Sequence, residues 1–249
     1  MNLVLLESHE LAADGHVTLS DARALHLLNV LKVTPDRSVR LGLIDGPFGT
    51  GTVTSATAST VTLRCAFEPA APPRPRVDLL LALPRPKVMN RLWAQLAAIG
   101  VGQIILTNAE RVERPYFDTH VITPEHYRPL LIEGLQQARD TRLPRVSVHR
   151  QFRVLIEDHM DALFPDGDRI VADASAPQPM QSVVRSHDAR VLLAIGPEGG
   201  WNSFELDLLR AHGFQPVSMG PRTLRSDTAC IALLTLAHDA INRVSKSHM

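Results

Sequence analysis

Cysteine is nearly missing from this 249-residue chain: its 2 cysteines, Cys65 and Cys230, stand far apart and in no C-x-x-C pair. A disulfide framework and a zinc ribbon are thereby excluded, and both residues read as small core side chains. No uninterrupted apolar run approaches the roughly 18 residues that a membrane span needs. The N-terminus has no basic stretch leading into an apolar core with a small-residue cleavage site, so the expectation is a protein of the cytoplasm with no membrane partner. Metal-ligand spacing is absent among the 11 histidines, as are a G-x-S-x-G serine elbow and a P-loop lysine. Metal and acyl-enzyme chemistry fall away on those grounds, and no metal site is expected. Excess charge of either sign is also lacking, since Lys+Arg and Asp+Glu number 26 each. A protein that coats nucleic acid by bulk electrostatics is strongly basic, which this one is not.

What the chain does have is an ordinary globular composition, 45% hydrophobic, with a sharp break at residues 69–76, PAAPPRPR. Prolines remove backbone donors and favour extended, semi-rigid chain, so a domain boundary is expected there, dividing residues 1–70 from 77–249. Before it, 38–44, 50–57 and 60–67 are rich in Val, Thr and Leu and read as strands. One helix interrupts them, with Ser20 as its cap and Leu25, Leu28 and Leu31 as its apolar stripe. After the break, short apolar runs alternate with helical periodicity, the pattern of βα units in a mainly parallel sheet. The runs are VDLLLAL, QIIL, VSV, RIVADA, RVLLAI and PVSM. Met89, Leu92, Trp93, Leu96 and Ile99 lie at helical spacing before Gly100. Asn202 with Glu205 forms a capping-box pattern, and the final helix from Ser226 is apolar around most of its circumference and should be buried by the sheet, a partner chain or both.

Two glycine-bearing loops carry the chemistry. LLAIGPEGGWNSFE from Leu192 runs from a buried strand through Gly196-Pro197-Glu198-Gly199-Gly200 into a helix start. Such a turn lets backbone approach a ligand closely and aims free amides at it. MGPRTLRSDTACIALL from Met219 follows the next strand and again opens a helix. Adjacent strand ends with such loops make a crevice at the carboxyl edge of an open sheet, where ligands of α/β folds bind. Arg222 and Arg225 flank that crevice, and Ser226, Asp227 and Thr228 suit a first helical turn. On these features alone a nicotinamide-dependent oxidoreductase also fits, although G-x-G-x-x-G is missing, and so does a non-catalytic RNA-binding module.

GPEGG followed by GPRTLRSDTA resembles the paired signature of the ribosomal RNA small subunit methyltransferase E family. HLLNVLK from His26, IGVGQI from Ile99 and EGLQQARDTRLP from Glu133 are similar to further family blocks, in order and over nearly the whole chain. The resemblance implies a SPOUT-type α/β fold, a mainly parallel sheet closed by a trefoil knot, with a PUA-like β-barrel at the N-terminus. It implies S-adenosylmethionine as cofactor, methylation of N3 of a uridine in small-subunit (16S) ribosomal RNA, free or in an assembled subunit, and a homodimer. Carried over, the cofactor residues are Ala194, Ile195, Gly196, Pro197, Glu198, Gly199, Gly200, Met219, Gly220, Leu224, Arg225, Thr228 and Ala229. Arg222, Arg225 and Asp227 are the candidate catalytic groups, Asp227 standing where the family carries Glu. RNA contacts are expected from Lys32, Arg85, Lys87, Arg139 and Arg142, since phosphates are positioned by cations.

Overall fold

A computed structural model describes residues 3–184, 190–220, 222 and 224–246. The chain divides into two compact units, 1–74 with 131–143, and 75–130 with 144–249.

The first unit is a five-stranded sheet of β1 (Val4–Leu6), β2 (His16–Leu19), β3 (Ser38–Leu43), β4 (Phe48–Ala56) and β5 (Val61–Phe67), with α1 (Ala22–Asn29) between β2 and β3. The order is β1-β3-β4-β5-β2, and every pairing except β1 with β3 is antiparallel. Period-two alternation sends Val17, Leu19, Val39, Leu41, Val53, Val61 and Leu63 to one core. The cap and stripe of α1 differ from expectation. Asp21, not Ser20, caps the helix by accepting from the Arg23 amide at 2.9 Å. Ala24 and Leu27 face the core and Leu28 packs partly against it as expected, while Leu25 and Leu31 stay exposed. The helix ends at Asn29, so Leu31 no longer follows helical spacing, and the buried face begins one residue earlier than the leucines suggest.

Residues 131–143 complete this unit. The Thr141 hydroxyl donates to the Gly46 carbonyl at 2.7 Å, and the Asp45 amide donates to the Thr141 carbonyl at 2.8 Å. A Cβ on Gly42 would stand 2.5 Å from the Thr141 methyl, so the β3 backbone needs glycine for this approach. Arg139 turns the chain with φ +59°, and the Asp140 carboxylate holds the turn by accepting from the Thr141 and Arg142 amides.

The second unit contains β6 (Val77–Ala82), α2 (Pro86–Ile99), β7 (Val101–Thr107), the start of α3 (Pro124–Ala138), β8 (Arg145–His149), α4 (Phe152–Val154) and α5 (Met160–Leu163). It continues through β9 (Asp168–Ala172), β10 (Val191–Ile195), α6 (Ser203–Ala211), β11 (Gln215–Val217) and α7 (Ser226–Lys246). Its six strands are all parallel in the order β11-β9-β10-β6-β7-β8. The central strands β6 and β10 are buried throughout, which is why they appear in the sequence as unbroken apolar runs. Asp78 is the exception within β6, fully buried and paired with Arg190, whose Nε lies 3.1 Å from its carboxylate. Helix α2 starts with proline at its first turn and ends at Gly100 with φ +89°. On α7, Cys230, Leu233, Leu234, Ala237, Ala240 and Ile241 form a buried face, packed against α2, β10 and β6.

Candidate functional site

Strand order decides where the two glycine-bearing loops meet. They leave β10 and β11, and β9 lies between those strands, so both loops rise at the carboxyl edge of the sheet on either side of the end of β9. Between them is a cavity of about 150 Å³, floored by Ala172, Asp173 and Ala174 and walled by Ile195, Gly196, Pro197, Glu198, Gly200 and Trp201 on one side. The opposite wall is Val217, Ser218, Met219, Gly220, Arg222 and Leu224, with Ser226, Ala229 and Leu233 from the start of α7. Pro221 and Thr223 of that loop lie outside the described residues.

The turn at Pro197–Gly200 closes with the Gly200 amide donating to the Pro197 carbonyl at 2.8 Å and with φ +73° at Gly200. Gly196 is closely packed: a Cβ there would come within 3.1 Å of the Trp201 amide and indole. Trp201 is buried, tilted against Phe152 with ring centroids 5.3 Å apart. Its indole Nε1 and the Oγ of Ser226 are both buried without a hydrogen-bond partner in the protein. Buried polar atoms are nearly always paired, and two orphans lining one apolar cavity are the donors that a polar ligand would satisfy. Asp173 is already committed, accepting from the Ser175 amide and hydroxyl and pairing with Arg210 at 3.2 Å.

At the rim, Asp227 in the first turn of α7 bridges two cations. Arg91 of α2 donates to it at 2.8 Å, and Arg225 stands 3.8 Å away. Burial pushes its carboxyl up, but the Thr228 amide, Arg225 and Arg91 outweigh that, so it sits below its ordinary range. Asp227 is thus an anchored anion paired with two arginines.

An RNA methyltransferase domain model matches residues 72–238. The ribosomal RNA small subunit methyltransferase E of Treponema pallidum is 30% identical over 256 residues, covering 96% of this chain and 92% of that protein. The chain belongs to the ribosomal RNA small subunit methyltransferase E family. The family's Borreliella burgdorferi protein E 1 is 24% identical over 233 residues, covering 93% of this chain and 95% of its own. In fold, the chain is similar to the Neisseria gonorrhoeae family member, whose crystal structure holds S-adenosyl methionine, with TM-score 0.77 at 20% identity over 96% of this chain and 97% of that one.

Of the residues that the family signature marks, Ile195, Gly196, Pro197, Glu198, Gly200, Met219, Gly220, Leu224 and Ala229 line the cavity, together with Arg222. Ala194 lies one residue back, fully buried inside β10. Gly199 faces outward, where Arg111 donates to its carbonyl. Arg225, Asp227 and Thr228 stand at the rim and do not line the cavity. The RNA candidates are divided: Lys32, Arg139 and Arg142 belong to the first unit, Arg85 and Lys87 to the second. Lys32, Arg85, Lys87 and Arg139 are exposed. Arg142 is half-buried, and its guanidinium donates to the carbonyls of Pro72 and Asp45 at 2.5 and 2.8 Å, so much of its hydrogen-bonding capacity holds its own unit together.

Sequence reasoning missed the floor at Ala172–Ala174, the wall residue Trp201 and the orphaned Ser226 hydroxyl. The run RIVADA was already visible as a strand; the rule that ligands gather at carboxyl strand ends reaches its loop once β9 is placed between β10 and β11. Arg91 had no local signal, because its partner lies 136 positions away.

Proposed function

We propose that this chain transfers a methyl group from S-adenosylmethionine to N3 of a uridine in small-subunit (16S) ribosomal RNA. The observation that carries the reading is a cavity at the ends of β10, β9 and β11, lined largely by apolar groups and by two residues with orphaned polar atoms. That lining fits the cofactor. Ile195, Val217 and Leu233 offer apolar surface to an adenine ring, while the Trp201 indole and the Ser226 hydroxyl offer donors to its polar parts. When bound, S-adenosylmethionine supplies an electrophilic methyl group. The signature residues Ala194, Gly199 and Thr228 act as supports of the two loops.

Neutral uracil carries a proton on N3 and becomes nucleophilic as that proton leaves, so negative charge on its oxygens needs stabilising. Arg222 and Arg225 are read as serving that task, and Asp227 with Arg91 as holding the guanidinium of Arg225 rather than removing the proton. The N-terminal unit, residues 1–70 with its added segment, is read as a PUA-like RNA-binding module, with Lys32, Arg139 and Arg142 near the RNA; residues 77–249 form the methyltransferase domain. The return of the chain from edge strand β11 to α7, packed on central strands, supports a knotted SPOUT topology. Ribosomal RNA as substrate supports a cytoplasmic location, and family membership supports a homodimer.

The test is an in vitro assay with small-subunit RNA lacking the modification, followed by mass mapping. Methylation at one uridine N3 is expected; transfer to another atom, or none, would falsify the reading. Arg225→Ala is expected to lower kcat at least about 100-fold, the size of an electrostatic stabiliser's contribution. Its affinity for S-adenosylmethionine by calorimetry should change far less, and full turnover in that variant would remove Arg225 from the chemistry.

A further inference from the structure

Methyl transfer brings acceptor and donor atoms within roughly 3–3.5 Å, so the acceptor must enter a space that shares a wall with the cofactor cavity. Two neighbouring hollows do. One shares Ser218, Met219 and Gly220, and is otherwise lined by Pro177, Pro179, Met180, Gln181 and Leu236, which include no cation and no aromatic ring among the described residues. The other shares Pro197 and Glu198, and lies on the outer flank of the glycine turn, against the start of α2 and the loop after β7.

This second groove carries groups that suit a nucleotide. Arg85, the N-cap of α2, is exposed and stands 3.2 Å from Glu198. Arg111 is exposed and donates to the Gly199 carbonyl, with the Gly200 carbonyl 3.4 Å from the same nitrogen. Tyr116 presents a half-buried ring whose hydroxyl donates to Glu113 at 2.8 Å. Arg111 packs closely on the turn, its Cδ 2.8 Å from where a Cβ on Gly199 would stand. An aromatic face beside two guanidinium groups is the equipment with which proteins hold an unstacked base and its phosphate.

We propose that this groove seats one unpaired nucleotide of the RNA, the one that carries the acceptor base. Tyr116 provides a surface for the base, Arg85 and Arg111 face its anionic parts, and the base edge reaches the cofactor cavity past Pro197 and Glu198, which line both spaces. Arg85 exchanges its contact with Glu198 for the nucleotide. The inference rests on the methyl-transfer reading, and it assigns Arg111 and Tyr116 to the substrate side of the site.

Two measurements test it. Tyr116→Ala and Arg111→Ala should each raise KM for small-subunit RNA about tenfold, with the dissociation constant for S-adenosylhomocysteine within twofold of wild type; unchanged KM in both overturns the proposal. To make the test independent of how either variant folds, wild-type protein is also irradiated with RNA carrying 5-iodouridine at the position methylated. Cross-links in the peptides that hold Arg85, Arg111 or Tyr116 are expected, and cross-links confined to other peptides overturn it. A wild-type enzyme that methylates no RNA fails the functional reading instead, so the two failures are distinguishable.

Discussion

Trp201 shows how much a single residue can decide at this site. Its ring packs closely on Gly196, leans on Phe152, and carries a buried indole nitrogen with no protein partner in a residue that lines the cavity. Trp201→Phe keeps an aromatic wall and removes only that donor. If the bound cofactor accepts a hydrogen bond there, its dissociation constant rises by roughly 3- to 10-fold, the worth of one ordinary hydrogen bond. Calorimetric titration measures this, and an unchanged constant would show that the indole donates to nothing in the complex. Residues of this kind are hard to read in advance. The glycines at 196, 199 and 200 announce themselves by composition, whereas Trp201 reads as a core aromatic until its nitrogen is found unpaired. Arg91 and Arg142 are similar cases: both sit in basic stretches, yet one anchors Asp227 and the other ties carbonyls from distant parts of the sequence.

Among the elements, those whose stability is local were legible and those defined by distant neighbours were not. Strands β6 and β10 are continuous apolar runs because both faces are covered, and α2 shows its buried stripe of Met89, Leu92, Trp93 and Leu96 directly. Helix α1 misled because three leucines at even spacing outweighed Ala24, the smaller residue that faces the core. The final helix α7 carries a testable consequence of its burial. His238 lies on it beside Gly100, whose added Cβ would be 3.7 Å from the imidazole. Burial, with the nearby positive charge of Arg76, lowers the pKa of His238 below its ordinary 6.5. A depressed histidine is neutral when folded and takes up its proton more readily when unfolded. Its stabilising contribution is therefore complete above the ordinary value and is lost as pH falls below it toward the folded-state value. Urea midpoints at about pH 8 and about pH 5.5 should differ more for wild type than for His238→Gln. Equal pH dependence in the two proteins would show that another group controls the slope.

For the molecule as a whole, the informative feature is the division of the chain. Proline-rich residues 69–76 mark the end of the first unit, and the boundary falls inside them, between Arg74 and Pro75. The return of 131–143 to that unit leaves no periodic trace, since it is recorded in contacts such as Thr141 with Gly46 and Arg142 with Pro72. A fragment ending at residue 74 therefore lacks part of its own structure. It is expected to melt at least about 5 °C lower than the same unit within the full chain, the shift that ~1 kcal/mol produces in a small domain. Thermal unfolding followed by circular dichroism checks this, and an equally stable fragment would show those contacts to be dispensable.

Gene exchange meets the same obstacle. A single crossover near residue 74 would give a recombinant the strands from one parent and the stretch that fills the hollow over Gly42 from the other. Viable chimaeras between relatives should then keep residues 42, 45, 46 and 141 from a common ancestor, even where the intervening coding sequence is mixed.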